Sequence, residues 1–183
     1  MTLTATIYNF DIDLADNDRR VYETLALRVA RHPSESEAFL LTRVLAFALE
    51  YTEGLEFTSG LSTPDEPALW TKDLTGALRA WIEVGTPDAD RLNRAAKLAP
   101  RVAVYVHKDP TQFLGRLEGA RIHRAEAIEI LAMDRVLLTE LAARLERRMN
   151  FSLSVTDREL YISCGTETLT GIVSRCRIPG TAA

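Results

Sequence analysis

The stretch from Ala77 to His107 constrains the fold of this chain more than any other. Leu78, Ala80, Ile82 and Val84 alternate with Arg79, Trp81 and Glu83, and that period of two predicts a strand over Ala77 to Val84. Thr86-Pro87-Asp88 supplies a hydroxyl cap, a proline for the first helical position and an acid in the first turn. The predicted helix runs to about Ala99, with Leu92, Ala95, Ala96 and Ala99 inward, and Pro100 stops it. Arg101 to His107 then reads as a buried strand through Val102, Ala103, Val104, Tyr105 and Val106. Strand, helix and strand in this order form a βαβ unit, hence a locally parallel sheet with a right-handed crossover.

The flanking segments place this unit in a mixed α/β domain. Tyr8, Phe10, Ile12 and Leu14 alternate with polar residues as in a strand with one covered face. Val21, Leu25 and Val29 fall at four-residue steps and predict a helix from Asp18 to Arg31, broken by Pro33. Ser34 with Glu37 three residues later forms a capping-box pattern for a second, more deeply buried helix to Tyr51. Leu55 to Ser59 and Leu69 to Leu74 read as short strands around a loop containing Gly60, Ser62, Pro64, Asp65 and Pro67. Further on, a helix near Thr111 to Leu117, a strand around Ala127 to Leu131, and a helix from Asp134 to Arg148 are expected. Antiparallel strands over Phe151 to Val155, Leu160 to Cys164 and Thr168 to Cys176 close the chain. With 183 residues, 46% apolar and 26% charged, and without repeat or linker, one domain over residues 1–183 is expected.

Composition also narrows compartment and chemistry. No apolar run approaches the roughly 20 residues of a membrane span, and Met1 to Thr6 lacks the basic and apolar segments of a secretory signal, so a cytoplasmic location is expected. Cys164 and Cys176 are too few for a disulfide scaffold and read as buried thiols. His32, His107 and His123 lack ligand spacing, which argues against zinc. A net charge of −4 argues against broad, non-specific nucleic-acid binding. Local cations remain: Arg116, Arg121, His123 and Arg124 form one basic stretch, and Arg144, Arg147 and Arg148 close a predicted helix, where they would offset its dipole.

Chemistry concentrates at Glu83. Its apolar neighbours on both sides make its carboxylate costly to bury unless a metal ion, a basic side chain or backbone donors offset the cost. Arg79, on the same face, is the candidate for a purely structural ion pair. A position at the carboxyl end of a central strand, just before a helix, is also where sites gather in open α/β sheets.

Pro64-Asp65 followed by Glu83-Val84-Gly85 resembles the PD-(D/E)XK nuclease superfamily, with Gly85 standing where that motif carries lysine. A second resemblance runs end to end. Thr4-Ala5-Thr6-Ile7-Tyr8, Arg31-His32-Pro33-Ser34-Glu35, Gly60-Leu61, Asp65-Glu66-Pro67-Ala68-Leu69-Trp70 and Trp81-Ile82-Glu83-Val84-Gly85-Thr86-Pro87-Asp88 together look like the YaeQ family of small bacterial proteins. The resemblance implies a central mixed sheet flanked by helices, a variant of the restriction-endonuclease-like core, here with extra C-terminal antiparallel strands. It further implies Asp65 and Glu83 as ligands of Mg²⁺ or Mn²⁺, with Glu66 and Asp73 competing for the place of Asp65. Arg94 and Lys97, three apart on the following helix, are the candidates to replace the missing lysine. Glu35, or alternatively Glu50, would be the acid that a preceding helix contributes.

Two functions compete. The first is a divalent-metal-dependent phosphodiesterase acting on DNA or RNA, in which the metal lowers the pKa of a bound water and stabilises developing charge. The second is a nuclease-type fold without hydrolysis that binds nucleic acid or protein, a role compatible with the loose link between the family and transcription. An arginine at position 94 clamps phosphate but is a poor proton acceptor, which favours the second. A pocket for a small phosphorylated ligand ranks last, since no phosphate loop, nucleophile elbow or dinucleotide fingerprint occurs.

Overall fold

A computed structural model of the chain describes residues 4–59 and 63–181. The Gly60-Leu61 pair and Ser62 of the turn-rich loop, like Met1 to Leu3, lie outside the described residues. Two compact units are present, one formed by Met1–Tyr51 with Asp134–Val173, the other by Thr52–Met133 with Ser174–Ala183.

The first unit is built on a hairpin of two long strands, β1 (Thr6–Asp16) and β2 (Val21–Arg31), paired antiparallel without a break. β8 (Arg148–Thr156) lies parallel to β1 on its other side, and β9 (Glu159–Cys164) and β10 (Glu167–Ile172) continue antiparallel. The five-stranded order is β10-β9-β8-β1-β2. One face carries Phe10, Ile12 and Leu14, Leu25, Leu27 and Val29, and Phe151, Leu153 and Val155, all buried. Helices α1 (Glu37–Glu50) and α4 (Arg135–Ala142) belong to the same unit. α4 packs on β10 at Gly171, where a Cβ would come within 2.8 Å of Leu137 and 2.9 Å of Asp134, so the close approach requires glycine. Arg19 in the hairpin turn donates to the carbonyls of Leu49 and Tyr51, supplying a cation to an α1 terminus that has none of its own.

The second unit holds the six-stranded sheet β11-β7-β6-β5-β4-β3. Its centre is the parallel trio β5 (Leu78–Val84), β6 (Arg101–Val106) and β7 (Glu129–Ala132). β4 (Leu69–Lys72), β3 (Leu55–Phe57) and β11 (Ser174–Cys176) pair antiparallel at its margins. The predicted βαβ unit is present as β5, α2 (Ala89–Leu98) and β6. Leu92, Ala95 and Ala96 of α2 pack with Val102, Val104 and Val106 of β6, and with Phe113 and Leu117 of α3 (Pro110–Leu117), in one buried cluster.

Several expectations need correction. There are two mixed sheets rather than one central sheet, because β8 to β10 join the N-terminal hairpin instead of extending the core. The segment from Asp18 to Arg31 is a turn and strand, not a helix: a four-residue step is also twice the strand period, and Leu27 completes the alternation. α4 ends at Ala142, so Arg147 and Arg148 do not close a helix; Arg148 opens β8, and Arg144 pairs instead with Glu167. The caps also move, from Ser34 to Ser36 and from Thr86 to Asp88, whose carboxylate accepts the Arg91 N–H at 2.8 Å. Both faces of β5 are covered from Ala80 to Val84, with Trp81 packed in the cluster that holds Leu92 of α2. The two thiols are half-buried rather than sealed, and desolvation raises the pKa of each.

Candidate functional site

Glu83 sits next to last in β5, with 5% of its side chain exposed. Its Oε1 accepts from the Trp81 indole Nε1 at 2.7 Å and from the Arg91 Nε at 2.6 Å, while its Oε2 faces Arg91 Nη2 at 3.3 Å. The expected structural partner, Arg79, points elsewhere: it is mostly exposed and pairs with Asp73 at 2.7 Å. The arginine that holds Glu83 comes from the first turn of α2, which the short β5–α2 connection brings alongside the end of the strand.

Arg91 has further partners. Its Nη1 donates to the Pro64 carbonyl and its Nη2 to the Glu66 carbonyl at 2.6 Å, so one guanidinium ties the Pro-Asp loop to the end of β5. Between those two carbonyls stands Asp65, with 84% of its side chain exposed, and Arg94, one turn after Arg91, reaches it at 3.4 Å. The structure thus brings Asp65, Glu83 and Arg94 into one neighbourhood, with Arg91 between the acids. Sequence reasoning passed over Arg91. The available signal was its spacing, three residues before Arg94 and therefore on the same side of the helix.

The other candidates are placed as follows. Lys97 is exposed near the end of α2. Asp73 organises the turn into β5: its carboxylate accepts from the Thr75 hydroxyl at 2.6 Å and from the Thr75 and Ala77 N–H groups. Those bonds, led by the hydroxyl and aided by the Arg79 charge, hold its pKa down to about 2. Glu66 accepts the Ser59 N–H at 3.2 Å. In the first unit Glu35 is buried against Arg43, whose Nη2 lies 2.8 Å from its carboxylate and 2.7 Å from the Ala30 carbonyl; Glu50 ends α1. Gly85, in the place of the motif lysine, has φ of +109° and donates its N–H to Tyr105 O at 2.9 Å. A lysine there would be strained, because the chain turns out of the strand at that residue.

These residues do not fit the hexacoordinate oxygen shell of Mg²⁺. Both Glu83 oxygens face a guanidinium, and a cation already occupies the space beside the carboxylate. Extending the β4–β5 register from Leu69↔Ile82 by one residue sets Ala68, buried and apolar, across from Glu83, so that strand position contributes no second ligand. Among the described residues no cluster of three His, Cys, Asp or Glu side chains has metal-binding geometry.

Basic side chains do gather on the solvent side of α2. Arg94 is 63% exposed, and the His123 N–H bonds to Asn93 Oδ1 at 2.9 Å, which brings exposed Arg121 and His123 to the same helix. Arg124 serves the fold instead: its Nη2 caps α2 through the Ala96 and Ala99 carbonyls at 2.7 and 2.9 Å.

Comparison with known proteins assigns the family. The family model described as YaeQ protein matches residues 1–172. The chain belongs to the YaeQ family. It is 31% identical to the uncharacterized protein YaeQ of Salmonella typhi and 30% identical to that of Escherichia coli (strain K12), in each case over 89% of this chain and 91% of the relative. The crystal structure of YaeQ protein from Pseudomonas syringae superposes with a TM-score of 0.84 at 31% identity, covering 93% of this chain and 95% of that one. The YaeQ protein from Xanthomonas axonopodis pv. citri gives 0.80 at 30% identity, covering 96% and 100%. The mixed α/β architecture is thus that of solved YaeQ structures. No helix among the described residues is long and apolar enough to cross a membrane.

Proposed function

We propose that this YaeQ chain is a nuclease-like binding protein that holds nucleic acid without cutting it. The observation that carries the reading is the Arg91 guanidinium seated on Glu83, which supplies the counter-charge a catalytic metal would otherwise provide. A fixed guanidinium cannot generate a metal hydroxide, and neither Arg91 nor Arg94 is suited to accept a proton from water. What remains is phosphate recognition by the solvated cations Arg94, Lys97 and Arg121 on and beside α2, with His123 as a neighbouring donor. The acidic whole and the small basic patch together suit a localised contact with one backbone rather than broad coating.

Metal-dependent hydrolysis through Asp65, Glu83, Arg94 and Lys97 is the second reading. It is favoured by one observation, the convergence of Asp65 and Arg94 near Glu83, and it requires Arg91 to leave the carboxylate.

The test is a melting curve in millimolar Mn²⁺ together with binding of labelled DNA and RNA oligonucleotides. The expected results are no stabilisation by Mn²⁺, no cleavage, and salt-sensitive binding that a paired Arg94→Glu and Lys97→Glu change weakens. Mn²⁺-dependent cleavage that disappears in Glu83→Ala would replace this reading with the hydrolytic one.

A further inference from the structure

The two sheets end in unequal edges. The six-stranded sheet stops at β3 and β11, three residues each, short enough to offer little to another chain. The five-stranded sheet stops at β2, eleven residues without proline or bulge, in continuous register from Arg31 opposite Thr6 to Val21 opposite Asp16.

The direction of its main-chain groups follows from its neighbours. Asn9 donates to the Arg147 carbonyl at 2.8 Å and Asn17 to the Val155 carbonyl at 2.9 Å, so odd-numbered β1 residues direct their backbone groups to the β8 side. Their partners on β2 are Arg28, Ala26, Thr24 and Tyr22, opposite Asn9, Asp11, Asp13 and Ala15. In an antiparallel ladder those are the non-hydrogen-bonded pairs, and each such β2 residue turns both its N–H and its C=O away from the sheet. Ala30 has the same parity, and its carbonyl indeed points outward to accept from Arg43. Among the described residues, nothing outside the sheet bonds to the backbone of Tyr22, Thr24, Ala26 or Arg28. The side chains at these positions are exposed, Tyr22 by 61%.

We infer that β2 pairs antiparallel with β2 of a second copy about a two-fold axis at Leu25, joining two five-stranded sheets edge to edge. The outward set of Tyr22, Thr24, Ala26 and Arg28 is symmetric about Leu25, so every outward donor and acceptor meets its counterpart. Tyr22 then faces Arg28 of the second copy at both ends, an aromatic ring against a guanidinium, and Thr24 faces Ala26. Neighbouring registers are worse. A slide in one direction sets Tyr22 against Ala30, whose carbonyl Arg43 already occupies. A slide in the other sets Arg28 against Arg20, a like charge on a turn residue with φ of +57°. This self-matching favours a second copy over an unrelated extended peptide. The inference stands apart from the proposed function, since it uses the first unit alone.

Sedimentation velocity of the full chain over a dilution series tests it. A reversible dimer is expected, and Ala26→Pro, which removes an outward donor while leaving the β1 ladder intact, should yield monomer. Tyr22→Arg should weaken association by roughly tenfold through two like-charge pairs, and adding Arg28→Glu should restore it. This charge pair decides the matter if the proline variant misfolds. Mixed chains carrying Thr24→Cys and Ala26→Cys should cross-link under mild oxidation, with Ala26→Cys alone no more linked than the unaltered chain. A chain that stays monomeric, a dimer indifferent to both Ala26→Pro and Tyr22→Arg, or a self-linked Ala26→Cys would overturn the assignment.

Discussion

Glu35 meets Arg43 with 2% and 4% of the two side chains exposed, whereas Glu83, 5% exposed, meets an Arg91 that keeps 24% in solvent. The partners differ in reach as well. Arg43 serves Glu35 and the Ala30 carbonyl and leaves its own buried Nε without an acceptor among the described residues. Arg91 spreads its donors over Glu83, Pro64 and Glu66 and stands one turn from solvated Arg94. Both acids are buried carboxylates neutralised by a guanidinium, yet only the second pair borders a surface that a ligand can approach. Burial of an acid therefore marks a place where the fold has met an electrostatic requirement; the accessibility of the counter-charge separates a structural brace from a candidate site.

That contrast can be broken by substitution. Arg43→Leu should have the largest effect, a loss of about 3–5 kcal/mol in denaturant unfolding, because it strands Glu35 in a dry interior. A loss within experimental error would show that the pair is not sealed. Arg91→Leu should cost less, about 1–3 kcal/mol, since solvent reaches that guanidinium and screens what is left. Equal losses at the two sites would erase the distinction. Asp65→Asn should shift stability by no more than about 0.5 kcal/mol, as expected for an exposed pair, so a larger change would mean that Asp65 braces the loop.

Asp73 sharpens the comparison as a carboxylate governed by hydrogen bonds instead of by a buried arginine. Its folded pKa is depressed to about 2, so its stabilising contribution is complete above the ordinary carboxylate range and fades as pH falls through about 2. Thr75→Val should move its titration midpoint upward toward 3.8 in an NMR titration. An unmoved midpoint would shift the credit to the backbone donors and Arg79.

The parts legible in the sequence were those set by local pattern. Leu78 to Val84, the α2 segment and Val102 to Val106 declare their period within a few residues, and the βαβ unit follows from their order. Glu83 stood out for a chemical reason, an acid between apolar neighbours. Its partner did not, because Arg91 looks like any arginine in a first helical turn; only the folded loop at Pro64 and Glu66 gives it three acceptors at once. β2 was misread because Val21, Leu25 and Val29 satisfy two periods equally, and the long-range pairing that chooses between them is invisible locally. The end of α4 was hidden for a similar reason: Arg147 and Arg148 are claimed by the N-terminal hairpin, through contacts far away in the chain.

The parallel seam between β1 and β8 bears on synthesis. β1 has Asn9 beside Arg148, so its permanent neighbour is synthesised only after the intervening stretch that builds the other sheet. Until then the β1 edge that β8 will pair lacks its neighbour, the kind of unpaired strand flank that chaperones shield. Nascent chains halted before Arg148 should accordingly be protease-sensitive in the hairpin, and those extended past Thr156 protected.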